Sequence, residues 1–280
     1  AAYKPVEAVR RMRFIRYTGD LWSGQAVHPE LWALLGMKDV LIEIASEAGL
    51  APVVLGVPHH AGAGVARIAE GARSVKTRKM GRPADELAGL TGLAVFRALQ
   101  KRNISTRLVI AAHAADHDPN KTPGSLYWER IFTGDQPLLL LELHGAAGRR
   151  LHALELSAGS NMKTNPLYYG RLLQKQIMEL WASGPLWPQS LRSLAIQLQP
   201  GASGGLILKD RLETAGELQN PALETLSLIH AGQLGIAALH LEMKPDFRKP
   251  DPAHPDHPKP SPLAVQLSEA LASMVEQSLE

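Results

Sequence analysis

The sequence predicts an α/β protein, a three-layer α/β/α sandwich around a mixed, mostly parallel central sheet, with a C-terminal helix on a proline-rich tether. Three observations carry this. Strand-like apolar runs alternate with amphipathic helical patterns, the order that builds a largely parallel sheet. Leu138–Leu143 reads as one apolar strand, as expected when both faces of a sheet are covered. The length of 280 residues is enough for one large α/β core.

The elements follow in order. Residues 5–17 read as a basic helix, and His28-Pro29-Glu30 opens a longer helical pattern through Ile44, with Leu31, Leu34, Leu35, Val40 and Leu41 on its apolar face. Gly49 closes it. Residues 52–57 form a strand that runs into Pro58-His59-His60. A glycine-rich, charged stretch over 61–83 carries a short helix at 65–71, and a helix starts at Pro83 and Asp85 and continues to Lys101. Strands follow at 107–112 and 138–143, with a short helix between them at 126–132. Residues 151–157 alternate like a strand, 166–182 form a helix, 194–198 a strand and 207–218 a helix. Ile236–Leu241 is the last strand. Repeated prolines then punctuate the chain up to Pro262, which excludes a helix or an inner strand there. Three segments result: a catalytic-type domain over 1–246, a linker over 247–262 and an amphipathic helix over 263–280, the last a means of self-association.

Composition narrows the function. Lys and Arg number 30 against 27 Asp and Glu, so no strongly charged surface dominates, and aromatics at 5% give little for a nucleic-acid platform. No apolar run reaches the roughly 20 residues a membrane span requires, and the expected setting is cytoplasmic. The absence of cysteine removes disulfides, thiolate ligands and a cysteine nucleophile. The start, Ala1-Ala2-Tyr3, has neither methionine nor an apolar signal core, as where an upstream segment has been removed. Arg73–Arg82 is the strongest basic cluster, a solvated loop or an attraction for an anionic substrate.

Three strands end in polar groups: at His59/His60, at His144 and at Glu242. Glu86 in the first turn of its helix faces the same edge, where open α/β sheets bind ligands. Zinc hydrolases use three nitrogen or oxygen ligands and leave a position for water. His59, Glu86 and His144 as ligands of one zinc ion, with Glu242 as the base that activates water, meet that requirement. Adjacent strand residues point to opposite faces, so one of His59 and His60 serves, and the sequence leaves the choice open.

Six short pieces between residues 52 and 247 carry a resemblance: Val57-Pro58-His59-His60-Ala61-Gly62, Ala84-Asp85-Glu86-Leu87, Ala115-Asp116-His117-Asp118-Pro119-Asn120, Leu141-Glu142-Leu143-His144-Gly145, Pro200-Gly201-Ala202-Ser203-Gly204-Gly205 and Leu239-His240-Leu241-Glu242-Met243. In this order they resemble the N-formylglutamate amidohydrolase family, which is similar in fold and metal site to zinc carboxypeptidases and poly-γ-glutamate hydrolases. The resemblance implies hydrolysis of an amide or peptide-like bond in a small substrate, with Glu242 as the catalytic glutamate and Asn120 as a substrate contact. His117 stands where the family has an arginine, and Arg82, Lys121 or Arg149 is its candidate replacement.

Two other readings remain open. A fold of this kind without turnover would be a binding module. Gly201-Ala202-Ser203-Gly204-Gly205 fits the pattern of a nucleophilic serine, with Asp210 and His230 or His240 downstream, although Pro200 precedes the turn and a plain glycine loop explains it equally. The His113, Asp116, His117 and Asp118 cluster is either a polar turn or a two-metal donor set.

Overall fold

A computed structural model describes residues 12–38, 40–46, 51–62, 85–112, 119–134, 137–145, 154–159, 161, 163–182, 206–209, 225–253 and 258–280. Its centre is a nine-stranded sheet in the order β1-β4-β7-β5-β8-β11-β9-β10, with β6 pairing the end of β5 at His60 and Ala61, past the β5–β8 ladder. The strands are β1 (Arg13–Arg16), β4 (Val40–Ala45), β5 (Val53–Ala61), β6 (Asp85–Glu86), β7 (Thr106–Ala112), β8 (Leu139–Gly145), β9 (Leu154–Ser157), β10 (Leu206–Lys209) and β11 (Ala237–Met243). Two pairings, β4 with β7 and β11 with β9, are antiparallel and the rest parallel. A hairpin of β2 (Trp22–Ser23) and β3 (Ala26–Val27) stands apart.

The α/β/α layering follows from the alternation of side chains along β5. At Gly56 a Cβ would meet Tyr127 of α3 (Leu126–Phe132); at Val57 the side chain meets Gly92 of α2 (Ala88–Lys101). Neighbouring residues point to opposite faces, so α3 and α2 cover opposite sides. Helix α5 (Leu226–Gln233) joins α3, and α4 (Pro166–Ala182) joins α2 through α6 (Pro262–Leu279), which packs on both α2 and α4. The β5 and β8 segments are buried along nearly their whole length, which accounts for their apolar composition.

Four local expectations change. Arg13–Arg16 is not helical but an exposed strand on β4 at the sheet edge, where charged side chains are tolerated and hinder further pairing. The helix expected through Ile44 ends at Leu35 as α1 (Pro29–Leu35); Val40, Ile42 and Ile44 are β-branched and form a strand instead. Asp85 and Glu86 precede α2 as a two-residue strand, and Leu87, at φ 60°, turns the chain into the helix. Leu206–Lys209 is strand where a helix from Ile207 was expected. The expected features at 65–71, Arg73–Arg82, His113–Asp118, Arg149, 194–198, Ser203 and Asp210 lie outside the described residues.

The proline-punctuated segment is held to the domain at several points. Phe247 is buried after a 3-10 turn (Pro245–Phe247), Pro250 bridges Pro260, and the Val27 amide donates to the Pro258 carbonyl at 2.9 Å. Helix α6 begins with Ser261 capping the Ala264 amide and buries Leu267, Leu271, Met274 and Val275. Among the described residues no helix is long and apolar enough to cross a membrane.

Candidate metal centre

The strand register builds a polar patch on the α3/α5 face. On β8, Glu142 and His144 are two residues apart and share a face; on β11, His240 and Glu242 do the same. Glu142 pairs with His240 and His144 with Glu242. On the far side of β11, His240 pairs with Ser157 and Glu242 with Glu155. All six are buried.

The two histidines that end β5 part company through a β-bulge. Between Val57 and His60 the register with β7 shifts: these residues, three apart, face Ile110 and Ala112, two apart. The extra residue gives His60 the face of Val57 and turns His59 away from it. His60 then sits against α1 and α2. The Gly89 amide donates to its Nδ1 at 2.9 Å, so Nε2 carries the hydrogen and donates to the Leu35 carbonyl at 3.0 Å. Burial pushes its pKa down to about 4, which keeps it neutral. The His59 ring lies 5.4 Å from that of His144 and tilted 55° to it.

The carboxylate beside His144 comes from β6. Asp85 Oδ2 is 3.6 Å from His144 Nδ1, wider than a hydrogen bond, and this buried oxygen has no hydrogen-bond partner among the described residues. Glu86, the expected acid, is partly exposed; its carbonyl accepts from Arg248 Nη1. Arg248 lies flat against Gly145, where a Cβ would come within 2.7 Å of Cζ, and so ties β6 to the end of β8.

Glu142 forms the floor. Its side chain is fully buried and receives the Tyr127 hydroxyl at 2.8 Å, the Ser227 hydroxyl at 2.9 Å and Asn120 Nδ2 at 3.4 Å. Asn120, expected to contact substrate, is itself buried and lies 3.3 Å from His144 Nε2. Burial raises the Asp85 carboxyl, but His144 and then His59 outweigh it and hold it below its ordinary range. Glu142 is likewise lowered against burial, mainly by His144. Burial would depress His144; Asp85 and Glu142 instead push it up to about 10.

These residues fit a divalent cation. Buried carboxylates surround imidazoles, the donors are nitrogen and oxygen, and the Asp85 oxygen is unsatisfied. Two donor sets share His144. In one, His59 and Asp85 accompany it. In the other, Glu142, His144 and His240 offer ligand atoms within 4.8 Å of one another. In that second set, however, the rings of His144 and His240 stack at 3.9 Å with 16° between planes. Imidazole lone pairs lie in the ring plane, so the stacked rings of His144 and His240 do not aim at one ion, whereas the rings of His59 and His144 are not stacked.

Sequence reasoning missed Asp85, Glu142 and His240 as parts of the site. The signal for the last two was present: polar residues two apart inside apolar strands mark one face. His230, a partner in the serine reading, packs against Trp128 and Phe132, while Ser203 and Asp210 lie outside the described residues.

No protein-family model matches the chain, and no curated protein matches it in sequence. Among solved structures it is similar to an N-formylglutamate amidohydrolase from Ralstonia eutropha JMP134, at 11% identity and TM-score 0.44, over 85% of this chain and 96% of that one. It is similar to a bacteriophage poly-gamma-glutamate hydrolase at 10% identity and TM-score 0.43, over 86% and 91%. A metallo-carboxypeptidase from Burkholderia cenocepacia aligns at 13% identity and TM-score 0.42 over 85% of this chain, which spans only 60% of that longer protein. At such identities and scores the chemistry rests on this chain's own side chains.

Proposed function

We propose that the protein is a metal-dependent hydrolase of an amide or peptide-like bond. His59, Asp85 and His144 hold one divalent ion, zinc by the chemistry of the donors, and Glu242 is the general base. Asp85 thus takes the role expected of Glu86. The observation that carries this reading is the buried, unsatisfied Asp85 oxygen facing His144 Nδ1 beside His59. The ion, when bound, supplies a water acidified toward pKa ~7 and polarises the scissile carbonyl. Glu242, paired with His144 across β8 and β11, accepts the proton of that water on a carboxylate oxygen and returns it to the leaving amine. Glu142, whose Oε2 lies 3.9 Å from His144 Nε2, stands on the side of the ring opposite Asp85, which Nδ1 faces. The choice of an amide bond rests on the ordered motifs of the sequence, as does Arg149 as a substrate contact.

Metal content of protein purified without added zinc tests the centre. One ion per chain is expected, lost in Asp85→Asn and kept in Glu86→Gln. Glu242→Gln keeps the ion and lowers kcat about 10²–10⁴-fold. A folded protein without metal supports the noncatalytic reading, and normal turnover by Glu242→Gln would falsify the mechanism. The second donor set, favoured only by the closeness of Glu142, His144 and His240, predicts instead that Asp85→Asn keeps its metal.

A further inference from the structure

The geometry points to His240 as a positioning residue that locks the general base and a metal-ligating imidazole into one fixed relation. This rests on the reading of Glu242 as base and His144 as ligand, and adds a residue which that mechanism does not use.

His240 is buried and lies between the two. Its Nε2 is 3.3 Å from Glu242 Oε1, two residues along the same strand face. Its ring stacks on His144 at 3.9 Å with 16° between planes. One side chain therefore makes two separable contacts. The hydrogen bond from Nε2–H restrains rotation of the Glu242 carboxylate about its terminal torsion, which is otherwise broad. The stacked face restrains the plane of His144, and with it the direction of the Nδ1 lone pair. An aliphatic side chain at this position would provide neither restraint. Ligation by His240 itself is disfavoured because its ring plane runs nearly parallel to that of His144.

Two variants separate the contacts. His240→Phe keeps a flat ring and loses the donor; His240→Gln keeps a donor and loses the ring. Zinc affinity is read by competition with a chromogenic chelator, and turnover by formate release from N-formyl-L-glutamate. For His240→Phe, zinc affinity within a few-fold of wild type is expected, with kcat down about 10–100-fold and KM unchanged. For His240→Gln, zinc affinity about 10-fold weaker is expected, with kcat at saturating zinc within a few-fold. Wild-type kcat in His240→Phe overturns the inference. So does loss of bound zinc in that variant, which would make His240 a ligand. Should His240→Phe not fold, His240→Gln decides: wild-type zinc affinity overturns the inference. If N-formyl-L-glutamate is not turned over, equal zinc affinities in the two variants overturn it. Failure of the underlying reading is distinguishable, since it appears in the wild type as absent zinc or in Glu242→Gln as undiminished turnover.

Discussion

The Tyr127 hydroxyl reaches Glu142 Oε1 at 2.8 Å because residue 56 has no side chain. A Cβ at Gly56 would stand 2.1 Å from that hydroxyl and 3.2 Å from Glu142 Cγ. Gly56 is thus required for close approach.

Gly56→Ala is expected to cost about 1–3 kcal/mol, the range for overpacking a dense core. Tyr127→Phe removes the atom nearest the new methyl group. The double variant should therefore be more stable than the sum of the single effects predicts. Urea denaturation of the four proteins checks this; strict additivity would refute the steric coupling.

The paired histidines at the end of β5 should separate stability from metal binding. His60→Ala leaves the Gly89 amide and the Leu35 carbonyl without their imidazole partner in a buried site. A loss of about 2–4 kcal/mol is expected, with metal content unchanged. His59→Ala should do the reverse, losing metal with a smaller loss of stability. Thermal melts and metal analysis of both proteins read the two effects, and metal loss confined to His60→Ala would reverse the assignment.

Acid sensitivity should map in part to Glu43. This buried carboxylate pairs with Arg130 at 2.6 Å and Arg16 at 3.0 Å. Burial raises its pKa, but Arg130 and then Arg16 outweigh this and hold it below the ordinary 4.5. Between the folded value and 4.5 the unfolded chain binds more protons. The contribution is therefore fully present above that pH and lost as pH falls through the folded value. Glu43→Gln should be less stable than wild type at pH ~7, with a shallower decline in melting temperature below pH ~4.5. Parallel pH profiles for the two proteins would exclude Glu43 as a source.

Helix α6 should behave as part of the core. Leu271 is fully buried on α6, the helix that packs on both α2 and α4. Leu271→Ala is expected to lower stability by about 2–5 kcal/mol in a single cooperative transition. An unchanged urea midpoint would mean that the helix is dispensable to the domain.

What the sequence disclosed, and what it hid, follows from how each residue is held. His59, His144 and Glu242 were legible because each ends an apolar run, and a parallel sheet gathers such ends at one edge. Asp85 was not: a two-residue strand has no periodicity, and an acid before a helix reads as a cap. The bulge that separates His59 from His60 depends on a register with β7, a relationship between segments that no local pattern encodes. Arg13 and Arg16 suggested a helix because an edge strand shows little of the apolar alternation that marks inner strands. Gly56 also escaped notice, since its role depends on a tyrosine about seventy residues away.

The register that pairs His144 with Glu242 joins residues about a hundred positions apart. Closing so long a loop is slow relative to forming α2, and pairing between distant parallel strands comes late in assembly. The general base is missing from the candidate centre until β11 docks beside β8, whereas the three ligands stand on β5, β6 and β8. During refolding, recovery of turnover should therefore lag the return of helical signal and report arrival of the native sheet order.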